Sequence, residues 1–98
     1  TALRALALPR GSAVVLDALA TVMTRLDEQA LALELFDQAI ALDPAQPSIH
    51  YNRALARRRF GLAEGAEADL RTCLSLAPGH AKAHWTLSGL RSGSLRPG

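Results

Sequence analysis

The sequence repeats itself with a period of 34 residues. A displacement by one period superposes small or apolar residues, and one proline, on residues of the same kind: Ala20 on Ala54, Ala32 on Ala66, Phe36 on Leu70, Ala39 on Cys73, Ile40 on Leu74, Leu42 on Leu76 and Pro44 on Pro78. A fixed period of this size is typical of solenoids, in which each unit packs only on its neighbours. The period therefore predicts an elongated array of stacked units.

The same phase continues towards both ends of the chain. Towards the start, Ala5, Leu6 and Leu8 correspond to Ala39, Ile40 and Leu42, and towards the end His50, Tyr51 and Arg57 correspond to His84, Trp85 and Arg91. The array therefore opens on the end of one unit and closes on the first half of another.

The units are predicted to be helical, because the chain is rich in Ala and Leu and has few aromatic residues. Asp27 is expected to cap a helix, Pro47 suits a first helical turn, and Gly61 and Gly79 fall where turns are needed. The predicted helices are residues 13–25, 28–42, 47–60, 63–77 and 81–91.

This pattern resembles the tetratricopeptide repeat family, whose units are two helices with small residues where the helices cross and a proline after the second. The resemblance implies an all-α fold, a right-handed superhelix of antiparallel helix hairpins with about five helices and a partial turn before them. It identifies the chain as a fragment of a larger array. The expected divisions are the end of a preceding repeat and loop at 1–12, repeats at 13–46 and 47–80, the first helix of a partial repeat at 81–91, and a flexible tail at 92–98.

The resemblance also implies a protein-binding groove, because in this family the first helices line the concave face. The groove residues it implies are Asp17, Thr21, Tyr51, Asn52, Leu55, Arg58, Arg59, Lys82, Trp85 and Thr86. Val14, Ala18, Thr24, Arg25, Ser48 and Gly89 occupy slots on the same face. Tyr51 and Trp85, one period apart, have two alternative interpretations: anchors for a partner in the groove, or filling of the seam between repeats.

Charge adds a polarity to this groove. The basic residues fall mainly in the first helices and most acidic residues in the second helices, so a basic groove and an acidic back are expected. A protein or peptide with an acidic stretch, or with a free C-terminal carboxylate, would be attracted to such a surface.

Some family members clamp acidic chaperone tails with Lys, Asn, Asn, Lys and Arg, and this chain departs from that set. Asn52 and Lys82 match, whereas Asp17, Thr21 and Thr86 replace a lysine, an asparagine and an arginine. Because an aspartate would repel the carboxylate, the chaperone-tail role is rejected. Asn52 is retained as a hydrogen-bonding residue for a peptide backbone.

No catalytic chemistry is indicated, so the chain is expected not to be an enzyme and to need no cofactor. His80 and His84 lack a third ligand at suitable spacing, and Cys73 occupies an alanine slot suited to packing. No phosphate-binding glycine loop or nucleophile motif is present. A soluble cytoplasmic protein without a membrane partner is expected.

Two other functions stay open. Arg53, Arg57, Arg58 and Arg59 and a pI of about 9.3 motivate nucleic-acid binding, against which stand nine acidic residues and few aromatics. Alternatively the array is a structural appendage, or self-associates through apolar faces of its end repeats. The stretch 84–91 resembles the junction in bacterial repeat proteins fused to sulfotransferase-like domains, which implies a bacterial source and a larger, enzymatic parent.

Overall fold

The computed structural model describes residues 11–94, with side chains for 12–90, and this part is built of α-helices. They are α1 (Gly11–Arg25), α2 (Gln29–Leu42), α3 (Pro47–Arg59), α4 (Ala63–Leu76) and α5 (Ala81–Ser94). The all-α prediction is confirmed, and the described part contains no strand. Within it, no helix is both long and apolar enough to span a bilayer.

The two ends differ from the expected divisions. Gly11 and Ser12, predicted to precede the first helix, form its start, while residues 1–10 lie outside the described part. The tail predicted for 92–98 is wrong for its first three residues, since α5 continues to Ser94. An established helix gains one hydrogen bond for each added residue, and glycine or serine costs at most about 1 kcal/mol against this. Residues 95–98 also lie outside the described part.

The turn inside each hairpin is the same double hydrogen-bonded cap, and a residue with a positive φ angle makes it possible. After α1, Glu28 N–H donates to Met23 and Asp27 N–H to Thr24, with Asp27 at φ 60°. One period later Gly61 has φ 80° in the equivalent position. Aspartate tolerates this left-handed region better than most residues, and glycine adopts it freely. The prediction that Asp27 caps α2 is therefore wrong: Asp27 ends α1, and Glu28 precedes α2 without a side-chain cap.

The turns between hairpins are also alike, and a histidine side chain closes each of them. His50 Nε2 lies 2.8 Å from the carbonyl oxygen of Pro44, and His84 Nε2 lies 2.7 Å from that of Pro78. Since a carbonyl oxygen only accepts, each ring donates from Nε2. His80, the third histidine, accepts a hydrogen bond at Nδ1 from Ala83 N–H and so caps α5.

Two buried clusters, one period apart, form the core. The first joins α1, α2 and α3 and contains Ala13, Ala20, Phe36, Ala39, Ile49 and Ala56. The second joins α3, α4 and α5 and contains Ala54, Ala66, Leu70, Cys73 and Ala83. Most members are alanines, which allow helix axes to approach closely. Each cluster thus fastens a hairpin to the first helix of the next, as a solenoid requires.

Candidate functional site: a basic cleft between two first helices

A cleft of about 400 Å³ opens between α1 and α3. Its lining residues come from α1, from α3 and, in one case, from α2: Thr21, Thr24, Arg25, Phe36, Asn52, Leu55, Ala56, Arg58 and Arg59. Phe36 and Ala56 are buried and belong to the first core cluster, so the floor of the cleft is formed by that apolar cluster. The cleft therefore has a buried apolar base with polar and basic side chains around it.

The rim carries three arginines and no carboxylate. Arg25 lies in the last turn of α1, and Arg58 and Arg59 lie in the last turn of α3, where the helix dipole favours positive charge. Among the described residues Arg58 forms no ion pair, while Arg59 Nε donates to Asp27 at 3.0 Å. Both partners of that pair are well exposed, so it contributes little stability and can open for a competing anion.

Two threonines of the rim are already engaged within their own helix. Thr21 donates its hydroxyl to the carbonyl oxygen of Asp17 at 3.0 Å, and Thr24 donates to that of Ala20 at 2.8 Å. Their hydroxyl oxygens keep acceptor capacity, whereas their protons are used. The cationic donors of the rim are therefore the arginines.

Asp17 and Asn52 form a pair that links α1 to α3 beside the cleft. Asn52 Nδ2 donates to both carboxylate oxygens of Asp17 at 3.0 Å. Burial raises the pKa of Asp17, and the hydrogen bonds from Asn52 oppose this rise without cancelling it. The amide donor of Asn52, predicted to meet a peptide backbone, is thus directed at Asp17, and its side-chain oxygen is what an incoming peptide could use.

The two aromatics of the predicted groove are placed differently. Tyr51 is half-buried against the second core cluster, and its ring centroid lies 5.0 Å from that of His80. Trp85 is 82% exposed. Of the two interpretations, packing in the seam fits Tyr51 and an exposed surface position fits Trp85.

The predicted site residues therefore divide into those at the cleft and those elsewhere. Thr21, Asn52, Leu55, Arg58 and Arg59 line the cleft, together with Thr24 and Arg25 from the wider set. Lys82 and Trp85 are exposed on α5 outside it, and Thr86 on the same helix is almost completely buried. Burial removes Thr86 from the surface that a partner could reach.

The number of α3 arginines that can reach the groove is reduced by a cluster of charges in the seam where α3 meets α4 of its own hairpin and α2 of the preceding one. Arg53 donates to Asp69 from Nη2 at 2.7 Å and from Nε at 3.0 Å, and from Nη1 to Asp37 at 2.7 Å. Arg57 Nη1 donates to the same Asp69 carboxylate at 3.0 Å. The side chain of Asp69 is only 4% exposed. Two of the four clustered arginines are thus structural, and the groove is less basic than α3 alone indicates.

The electrostatics of this seam are internally balanced. Burial alone would lower the pKa of Arg53, but the hydrogen bonds and negative charge of Asp69, with those of Asp37, raise it instead. A sequence signal for the cluster existed: Arg53 and Asp69 occupy positions that are Leu19 and Leu35 one period earlier. An apolar pair replaced by opposite charges is the pattern expected of an internal ion pair.

The remaining reactive groups are used in packing. Cys73 is buried in the second core cluster, and burial raises the pKa of its thiol, which keeps it protonated and unreactive. Within residues 11–94, side chains able to bind a metal nowhere gather in a group of three or more.

Comparison with known proteins gives two close similarities in sequence. A family model described as TPR repeat matches residues 25–59. TPR repeat-containing thioredoxin TTL4 of Arabidopsis thaliana is 38% identical over 69 residues, which are 70% of this chain. The chain spans only 10% of the length of that relative.

The fold comparison agrees. The solved structure of the first TPR of Spaghetti (RPAP3) bound to the HSP90 peptide SRMEEVD matches with a TM-score of 0.79 and 23% identity, over 86% of this chain and 68% of that one. The two repeated hairpins, the matched repeat model and the repeat-containing relative agree with one another, and the chain belongs to the tetratricopeptide repeat family.

Proposed function

We propose that this chain is a protein-interaction module that binds a carboxylate-bearing peptide segment in the cleft between α1 and α3. The observation that carries the proposal is the cleft itself, with an apolar floor and a rim of Arg25, Arg58 and Arg59 without an acidic member. A preformed concave site with few convergent polar groups is the usual form of a binding pocket. Arginine adds planar, bidentate recognition of carboxylates.

The peptide in the solved TPR complex supports an acidic ligand class. Its sequence, SRMEEVD, carries three acidic side chains. That complex concerns another protein at 23% identity, and in this chain Asp17 and its partner Asn52 lie beside the cleft. The preferred ligand is therefore expected to be acidic but to differ from a chaperone tail near Asp17.

The charge cluster in the seam weighs against the nucleic-acid alternative. Arg53 and Arg57 are held by Asp69, which leaves Arg58 and Arg59 of the four arginines for phosphate contacts. Nucleic-acid affinity rises with the number of phosphates neutralised, so a short basic rim favours a short acidic peptide. We propose no catalytic role for this chain and place it in the cytoplasm.

The appendage alternative is compatible with peptide binding. The matched relative is, by its name, a thioredoxin that contains TPR repeats, and this chain covers a tenth of it. An array of this kind in a larger protein would bring a bound partner to the remainder of the chain.

The test is fluorescence anisotropy with labelled seven-residue peptides, each paired with a counterpart in which Glu and Asp are replaced by Gln and Asn. SRMEEVD serves as one member of the acidic set. Acidic peptides are expected to bind more tightly than their neutral counterparts, and Arg58→Glu to weaken them by about tenfold, since it replaces an attraction by a repulsion. Higher ionic strength should reduce the difference.

Arg71→Glu is the matched control. Arg71 lies on α4, outside the cleft, where it pairs with Glu67. Its charge reversal changes the net charge of the chain by the same amount as Arg58→Glu does. Because Arg71 lies outside the cleft, the substitution should leave peptide affinity almost unchanged. Equal weakening by both variants, or equal affinity for acidic and neutral peptides throughout the set, would contradict the proposal.

A further inference from the structure

One carboxylate beside the cleft has no opposite charge to balance it. Asp17 on α1 is half-buried, and among residues 12–90 no basic side chain forms an ion pair with it. Its side-chain hydrogen bonds there come from the neutral amide of Asn52. Burial of a carboxylate without a counter-charge costs free energy, which is also why the pKa of Asp17 is raised.

A link between α1 and α3 does not require this charge. A neutral acceptor opposite Asn52 would form the hydrogen bond at a smaller desolvation cost. One period later, Asp17 and Asn52 correspond to Tyr51 and Thr86, and in the described part no charged pair links α3 to α5 at this level. The stacking of the repeats therefore does not explain the carboxylate of Asp17.

Charges of opposite sign lie at the two ends of the junction between α1 and α3. The two helices run in the same direction, since Asp17 contacts Asn52 at one level and Asp27, just after α1, contacts Arg59 at their ends. Arg25 lies eight residues after Asp17 on α1, which is about 12 Å along the helix axis. The arginines of the rim outnumber the single carboxylate of Asp27. The junction thus has a negative end and a positive end.

Asp17 can accept a further hydrogen bond while it keeps Asn52. A carboxylate has about four acceptor positions on its two oxygens, and the Asn52 amide nitrogen uses at most two of them. Asp17 is also in direct contact with the wall of the cleft, because Thr21 and Asn52 both line the cleft and both donate hydrogen bonds to it. A peptide that follows the cleft away from the arginines would therefore reach this carboxylate.

We propose that Asp17 binds a basic side chain of the ligand, so that the cleft selects peptides with a carboxylate at the arginine end and a cation at the Asp17 end. This inference rests on the proposed function, because it concerns the other end of the same bound peptide. An extended chain advances by about 3.3 Å per residue, so the two charges should lie about four residues apart in the ligand. A uniformly acidic peptide would place a like charge against Asp17 and bind less tightly.

A double-mutant cycle between protein and peptide tests this pairing by fluorescence anisotropy. The labelled peptides are blocked at both ends and carry a Glu pair with one Lys four positions away, in both orders, and their counterparts carry Gln in place of Lys. The wild-type chain should bind the Lys peptide of at least one order about fivefold more tightly than its counterpart, and Asp17→Asn should abolish this preference. Asparagine keeps an acceptor for Asn52, so the variant should fold.

Glu34→Gln is the matched control. Glu34 is exposed on α2 and does not line the cleft, so this variant removes the same charge at a distant position. It should keep the wild-type preference for Lys. A peptide with Lys directly beside the Glu pair should show a weaker dependence on Asp17, because its charges cannot reach both ends of the junction.

Failure of this pairing can be told apart from failure of peptide binding. If acidic peptides bind and Arg58→Glu weakens them, but the exchange of Lys for Gln affects the wild type and Asp17→Asn equally in both orders, the pairing is wrong and the proposed function stands. Loss of the preference in Glu34→Gln as well would also overturn the pairing, since net charge would then explain it. If no acidic peptide binds the wild-type chain, both proposals are wrong.

Discussion

Helix α3 carries two arginines in the seam and two at the cleft, and the contrast between these pairs is the main lesson of the structure. Arg53 and Arg57, four residues apart, both reach the buried carboxylate of Asp69. Arg58 and Arg59 point to the cleft, and their charges are exposed. One further residue along a helix rotates the side chain by about 100°, which here separates a structural role from the proposed binding role.

The two pairs should therefore respond in opposite ways to substitution. Changes at the seam should lower the free energy of unfolding and leave peptide affinity alone, whereas changes at the rim should do the reverse.

The largest effect is expected for Asp69→Ala. It removes the carboxylate that accepts hydrogen bonds from both Arg53 and Arg57, which leaves Arg57 without a counter-charge and Arg53 with only the exposed carboxylate of Asp37. The free energy of unfolding should fall by about 3 kcal/mol. Urea denaturation followed by circular dichroism measures this, and a loss below about 1 kcal/mol would contradict the structural role of the cluster.

A smaller loss is expected for Arg53→Lys. Lysine keeps the charge but cannot direct three N–H groups at Asp69 and Asp37 together, so about 1 to 2 kcal/mol of stability should be lost. Peptide affinity, measured on the folded variant, should not change. A fall in affinity at unchanged stability would reverse the assignment of Arg53 to the seam.

Asp37→Ala should cost under about 1 kcal/mol, because this carboxylate is 61% exposed and its ion pair with Arg53 is screened by water. The comparison with Asp69→Ala separates the buried from the exposed end of one cluster. Thermal unfolding of both variants in low and high salt measures it, and equal losses would show that burial does not decide the strength of these contacts.

The smallest effect concerns Asp17 and depends on pH. Its pKa is raised in the folded chain by burial, so the folded state holds the proton more tightly than the unfolded state. Stability should therefore fall as pH rises from about 4 through the folded pKa. Asp17→Asn should flatten this part of the profile, as followed by urea unfolding between pH 4 and 7. An unchanged slope would contradict the raised pKa.

The helices were predictable from the sequence because the same pattern of small and apolar residues occurs in both repeats, so each repeat supports the helix boundaries of the other. Four of the five expected helices begin and end within two residues of the observed ones, and Pro47 begins α3 as expected. The fifth, α5, extends three residues further than expected, since Ser92, Gly93 and Ser94 are weak helix formers and predict a tail. Local propensity alone does not show whether a nucleated helix continues.

The site was only partly predictable. The sequence predicts that Asn52, Arg58 and Arg59 lie on the concave face of α3, and all three line the cleft. This was predictable because equivalent positions of the first helices recur every 34 residues. It did not reveal that Asn52 is bound to Asp17, or that Thr86 is buried, because both depend on the distance between neighbouring helices. Pairing between side chains 35 residues apart becomes visible only when the hairpins are stacked.

The histidines that close the turns between hairpins can serve as built-in spectroscopic probes of those turns. His50 must hold its proton on Nε2 to donate to Pro44, and its Nδ1 is buried with no partner among the described residues, so one tautomer is enforced. His84 repeats the arrangement with Pro78. In linear arrays the terminal units open first. Nitrogen chemical shifts of the two imidazoles would thus register the opening of each junction separately, and yield a repeat-by-repeat map of fraying without any added label.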